Sequence, residues 1–277
     1  MRPDLIAWLT THGFTTLARV VPTSGAMYAA VFLICGWLLI RRARAIPLLA
    51  DHAVDIWIAA GLGASVGARI YYLVINGKLW STPFATWFGH SGTGSWGAYV
   101  GASLLVAAYA YARKLPVWPW LDVAASIAPL GEVIGRWACW LAGDDFGKVT
   151  TVPWAIHFPQ GSLAWQAQVA RGELARSATE SLAVHPQQFY LMINALLLFI
   201  VVSAVWSRNR ARSGVTFAAY LLLYGATRFW WEFFRDPAAG GAAHGLSSSQ
   251  WLCIGFVIVG GVGTDWVHRA RERAATA

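Results

Sequence analysis

Three arginines stand where a hydrophobic chain has least use for a charge: Arg69 in "VGARIYYLV", Arg136 in "VIGRWACWLAGDDFG" and Arg228 in "LLLYGATRFWWEFFRDP". An arginine carried into hydrocarbon costs about 2.5–3.5 kcal/mol on insertion scales, so each must face a polar interior or an anion. Glu132 and Arg136 are four residues apart, as are Arg228 and Glu232, and each pair can close along its own helix. Two self-neutralised pairs that lock a helix bundle are one reading. Arg69 has no acidic residue within four positions and points to the other, a guanidinium cluster that binds a phosphodiester. The planar fork of arginine meets phosphate oxygens two at a time.

Groups able to move a proton or orient a ligand lie close by in the sequence. Asp144 and Asp145 follow Arg136, and "HPQQFY" brings together His185, Gln188 and Tyr190. His185 titrates near neutrality, although taken alone it reads more readily as a capping or structural histidine than as a base. Gln188 supplies amide donors, and Tyr190 suits an interfacial belt. "GHSGTGSWGAYVG", residues 89 to 101, carries five glycines. Such a stretch either brings backbone amides to an anion, at Gly97 for example, or lets two helices pack closely. The cysteines at 35, 139 and 253 are scattered in apolar surroundings and indicate neither a disulfide framework nor a metal site.

Composition identifies the elements that must hold these groups. Of 277 residues, 57% are hydrophobic and 12% charged, about half the charged share of a soluble domain, so the solvent is lipid. Runs long enough to cross the bilayer, roughly 17 to 25 residues each, occur near 24–40, 52–76, 94–112, 118–142, 187–206, 214–235 and 247–267. None shows the ten-residue alternation of a barrel strand. The expected fold is an all-α integral membrane protein with seven transmembrane helices, forming a single transmembrane domain over residues 1–277. The first residues lack the apolar stretch and small-residue site of a cleaved signal peptide.

Eleven of the lysines and arginines fall in one alternate set of connections, at 41, 42, 44, 113, 114, 208, 210, 212, 269, 271 and 273. The positive-inside rule makes that side cytoplasmic. The N-terminus is then periplasmic, the C-terminus cytoplasmic, and residues 143–186 form a periplasmic cap in which "LAWQAQVARGELARSATESL" reads as helical. Arg69, Arg136 and Arg228 gather in the outer leaflet. The net charge of +8 forms no basic stripe interleaved with aromatics, so no nucleic-acid partner is expected. No internal repeat of the kind found in transporters is visible.

Five of these stretches, taken in order, resemble the prolipoprotein diacylglyceryl transferase family: "GARIYY", the glycine-rich lead-in to the third span, "GRWACWLAGDDFGK" followed by "VPWAIHFP", "HPQQFY" and "RFWWEFFRDP". The likeness covers roughly residues 20 to 265. It implies a multi-pass enzyme of the bacterial inner membrane. Such an enzyme moves the diacylglyceryl group of phosphatidylglycerol to the thiol of a lipobox cysteine in a preprolipoprotein, and it uses no metal or soluble cofactor. Residue by residue, it places the family's functional arginines on Arg136 and Arg228, its glutamate on Glu232, its signature glycine on Gly147 and the acidic residue of that segment on Asp144. The chain departs from the family pattern at Trp96, where a histidine is usual, at Cys139 in place of asparagine and at Leu191 in place of glutamate. The base that takes the thiol proton must then be Asp144, Asp145, His185 or Glu232, with Asp144 and His185 foremost, unless the arginine field alone depresses the thiol. A catalytically silent binder of anionic phospholipid, or a transferase with a different acceptor, is the alternative.

Overall fold

The computed structural model describes residues 11–13, 24–83, 95–241 and 245–276. Among them no strand forms, and a long helix covers each of the seven hydrophobic runs: α1 Ser24–Arg44, α3 Ala53–Ile75, α4 Ser95–Ala112, α5 Val117–Ala142, α7 Gln187–Arg208, α8 Val215–Trp231 and α9 Ser248–Thr276. The short helices α2 (Pro47–Ala50) and α6 (Leu163–Ala170) lie between them. By length and composition, α3 and α7 are apolar enough to cross a membrane. The long helices expose large apolar side chains, among them Leu33, Leu104, Ile193, Ile200 and Val262, an arrangement that water would penalise and lipid would not.

The chain gathers into two compact units, one drawn from Met1–Cys35 and Leu121–Ala277, the other from Gly36–Trp120. In the smaller unit, α3 and α4 pack through glycines. A Cβ on Gly67 would collide with the carbonyl of Gly97, and one on Gly101 with that of Gly63. Small residues at these four positions let two backbones touch, the usual device for joining helices in lipid. Of the two readings left open for Gly97, helix packing is the one the structure supports. Residues 89–94 of the glycine-rich lead-in and the side chain of Trp96 lie outside the described residues.

The larger unit holds α7, α8 and α9, α5 from Leu121 onward and α1 as far as Cys35. Asp122, buried on α5, accepts from the backbone N–H groups of Gly214 (2.6 Å) and Phe217 (2.8 Å). A carboxylate from one helix thereby caps the N-terminus of α8, whose own cap residue is a glycine at φ +90°. Such a cap satisfies orphan N–H donors and complements the helix dipole. At the N-terminus of α9, Ser247 accepts from the Gln250 N–H (3.1 Å) while the Gln250 Oε1 accepts from the Ser247 N–H (2.9 Å). This reciprocal capping box fixes where α9 begins.

The segment between α5 and α7 is less helical than its composition indicates. Ser162 caps α6 by accepting from the Trp165 N–H, but the helix runs only to Ala170. Gly172 turns left-handed at φ +74°, and the Arg171 guanidinium is drawn away to Glu173 and Asp236. Isolated bridges, Val149 and Ile156 to Val184 and Pro159 to Glu180, fold the remainder around a small core of Phe146, Phe158, Ala164 and Val184.

Candidate active site

The site begins on the last turns of α5. Arg136 donates to Glu132 Oε1 from Nε (3.3 Å) and Nη2 (2.9 Å), which closes the expected pair along one helix face. Beyond Ala142 the chain reverses. Gly143 adopts φ +72°, the Asp144 N–H bonds back to the Cys139 carbonyl, and Asp145 is left-handed at φ +53°, a conformation that aspartate tolerates better than most residues. This double turn carries the Asp145 carboxylate back to Arg136, whose Nη1 donates to Oδ2 at 2.6 Å.

From Asp145 the charges continue. Arg235 donates to the other Asp145 oxygen and, at 3.3 Å, to Glu232 Oε1. Glu232, 1% exposed, also pairs with Arg228 through Oε2 at 2.7 Å and accepts from the Ser247 hydroxyl at 3.2 Å. The result is an alternating ladder, Glu132, Arg136, Asp145, Arg235, Glu232, Arg228, in which three cations meet three carboxylates. The four inner rungs are each shared between two partners, and the ends, Glu132 and Arg228, are not. Among the described residues Arg228, buried at 6% exposure, makes a single ion pair.

The loop that presents Asp144 and Asp145 is held from beneath. Gln188, fully buried at the start of α7, donates from Nε2 to the Asp144 carbonyl at 2.6 Å, and Gln187 donates to the Trp231 carbonyl at 2.7 Å. Gln188, expected to offer its donors to a ligand, gives one of them to this loop. Gly147 hydrogen-bonds the His185 carbonyl, and a Cβ there would stand 2.6 Å from His185 Cβ and carbonyl oxygen. Close backbone approach is the reason for glycine at this position.

The two candidate bases are separated in environment. Burial and the neighbouring Asp145 charge push the Asp144 carboxyl up to about 6. Burial also drives Asp145 upward, but Arg136, Arg235 and Arg228 outweigh it and hold the carboxyl below its ordinary value. Asp145 therefore stays ionised while Asp144 is poised near neutrality. The His185 ring faces Phe234, with centroids 5.2 Å apart, and its Nδ1 lies 3.2 Å from the Tyr190 hydroxyl, which also accepts from Trp154 Nε1 at 2.6 Å. Burial lowers its pKa. Among the described residues His185 meets no member of the ladder.

Arg69 belongs to the smaller unit, where it is buried with its guanidinium 5.5 Å above the Tyr72 ring. Cys139, Asp144 and Asp145 bring their possible metal-ligating atoms within 4.8 Å of one another. Two arginines already neutralise Asp145, which makes this a poor place for a further cation. Arg235 is a member of the ladder that the sequence does not single out. Its spacing of three from Glu232 was the available signal.

The model of the family described as prolipoprotein diacylglyceryl transferase matches residues 15–266, a range that takes in every rung of the ladder. The chain belongs to the prolipoprotein diacylglyceryl transferase family. Curated relatives named phosphatidylglycerol–prolipoprotein diacylglyceryl transferase agree along nearly their whole length. The protein of Rhizobium meliloti is 29% identical over 95% of this chain and 93% of its own. That of Coxiella burnetii is 32% identical over 90% and 92%, and that of Geobacter sulfurreducens 32% identical over 85% and 86%. Members of this enzyme family transfer a diacylglyceryl group, and the ladder at the end of α5 and α8 is the candidate seat of that chemistry here.

Proposed function

We propose that this chain transfers the diacylglyceryl group of phosphatidylglycerol to the cysteine thiol of a lipobox-bearing preprolipoprotein. In this reading it spans the bacterial inner membrane seven times, with a periplasmic N-terminus, a cytoplasmic C-terminus and residues 143–186 as a periplasmic cap. The observation that carries the reading is the ladder itself, a fixed row of guanidiniums and carboxylates ending in an arginine with one ion pair and flanked by a carboxyl poised near neutrality.

The chemistry divides among these groups. Arg228, left with a single ion pair, holds the phosphate. The acceptor thiol gives its proton to Asp144, and the sulfur attacks the glyceryl carbon that bears the phosphate ester. A C–S bond forms, the C–O bond breaks, and glycerol phosphate leaves with the electron pair. Charge growing on the leaving oxygen is met by cations already in place, which need no reorganisation at the moment of reaction. Charge balance favours Asp144 in this role. The ladder is neutral, an ionised Asp144 makes the site negative, and uptake of the thiol proton removes that charge as the phosphate departs.

The reading is tested by expressing the chain in cells depleted of their own diacylglyceryl transferase. The expected result is a mass shift of one diacylglyceryl group on a lipobox-bearing protein, lost when the acceptor cysteine is serine. Phospholipid binding with no shift would make the chain a silent binder.

A second expectation concerns pH. With Asp144 at about 6, the base form prevails above that value, so transfer rises with pH through about 6 and levels off. Asp144→Asn removes this limb, lowers the rate by roughly 10²- to 10⁴-fold and moves the remaining inflection toward the ordinary thiol range near about 8.5. An unchanged inflection in the variant would remove Asp144 from the mechanism.

A further inference from the structure

A cavity of about 520 Å³ lies beside the Asp144–Asp145 turn. Ala167 and Ala170 of α6 line one side, Ala238 and Ala239 of the Pro237–Ala239 turn another, and the loop after α5 contributes Asp144 and Phe146. Its walls are fixed rather than loose. Phe146 is buried in the small core of the segment, with Ala167 and Ala239 packed against it. Arg171, just past α6, donates to both oxygens of buried Asp236 at 3.0 and 3.2 Å, and Asp236 in turn caps the Ala238 N–H at 2.8 Å. The volume falls within the range of roughly 300–1,000 Å³ usual for preformed ligand pockets.

Charge decides what can occupy it. Asp145 is matched by two arginines, whereas Asp144 is matched by none: the Cys139 thiol hydrogen-bonds its carboxyl, and its buried Oδ1 has no hydrogen-bond partner among the described residues. A phosphate would be repelled from this face. An acyl chain would leave a buried acceptor unsatisfied, which costs free energy. A neutral polypeptide avoids both penalties, because its N–H or thiol can donate to Asp144 and alanines on both sides let a backbone approach closely. The cavity lies outside the long helices, where the part of an acceptor leading away from the membrane must run.

We propose that this cavity seats the acceptor polypeptide immediately after its cysteine, with the thiol at Asp144 and the following residues between the alanine walls. The proposal rests on the transferase reading and gives the donor and acceptor separate subsites, the arginines for the lipid phosphate and the α6 cavity for the peptide.

Two measurements on the full chain in phosphatidylglycerol-containing nanodiscs test it. A lipobox peptide carrying a photoreactive diazirine on the residue after cysteine is expected to crosslink the unmodified protein within 163–170 or 237–239. Crosslinks confined to other segments would overturn the proposal. Ala170→Trp, which fills the cavity, is expected to raise the acceptor KM at least tenfold with the donor KM changed less than twofold. An unchanged acceptor KM, or a rise in the donor KM instead, would also overturn it. If the unmodified chain crosslinks the peptide there yet transfers nothing, the transferase reading fails and the peptide site stands.

Discussion

Arg228→Lys is expected to lower diacylglyceryl transfer by roughly tenfold to a hundredfold while the chain still folds. The separation follows from geometry. Lysine keeps a positive charge within reach of Glu232, which Arg228 meets at 2.7 Å, and Glu232 retains Arg235 and the Ser247 hydroxyl. The buried carboxylate is not orphaned, so stability changes little. An ammonium is a point charge, however, and cannot answer Glu232 and a phosphate with two edges of one plane. A charge-assisted hydrogen bond contributes about 1.5–3 kcal/mol, and each 1.36 kcal/mol lost only in the transition state is about tenfold in rate. Steady-state transfer and thermal unfolding of the purified variant measure the two effects side by side. Transfer equal to that of the unmodified chain would deny Arg228 the phosphate.

The positions of Arg228 and Glu232, and of Glu132 and Arg136, were legible because i,i+4 spacing on a helix leaves little choice of neighbour. The seven helices were legible for the same kind of reason: apolar runs of this length without the alternation of a strand read as helix. What lay hidden depended on backbone turns. "GDDFG" does not disclose which aspartate faces the arginines, since that follows from the left-handed residues Gly143 and Asp145, and a one-residue difference in the turn would exchange their roles. Arg235 sits beyond the last apolar residue of its span and reads as a loop charge. It enters the site because the helix tightens into a 3-10 turn over Glu232–Phe234. Gln187 and Gln188 look equally available in sequence, yet each spends its amide on a carbonyl far along the chain, and no local pattern records such a contact. Asp122 was passed over for the same reason, as the cap it supplies is more than ninety residues away.

The ladder also explains why three cations, Arg228 buried and Arg136 and Arg235 half-buried, can share one site, and Asp145 is the rung on which that depends. Without it, Arg136 and Arg235 face each other across a gap, and three guanidiniums answer to two carboxylates. Removing one partner of a buried pair costs about 3–5 kcal/mol. The Asp145 side chain is 19% exposed, which puts Asp145→Asn near the lower end, about 3 kcal/mol. Its transfer activity falls with its stability, because Asp144 is held on the same turn. A drop in the unfolding midpoint in detergent is the measurement, but a drop alone does not separate lost charge balance from a damaged turn. The double variant Asp145→Asn with Arg235→Gln does. It leaves Arg136 with Glu132 and Arg228 with Glu232, two complete pairs and no surplus cation, so it is expected to be more stable than Asp145→Asn alone even though it has lost more hydrogen bonds. Residues in one network couple by about 0.5–3 kcal/mol. Losses that simply add would show that the turn, and not the alternation of charge, is what Asp145 supports.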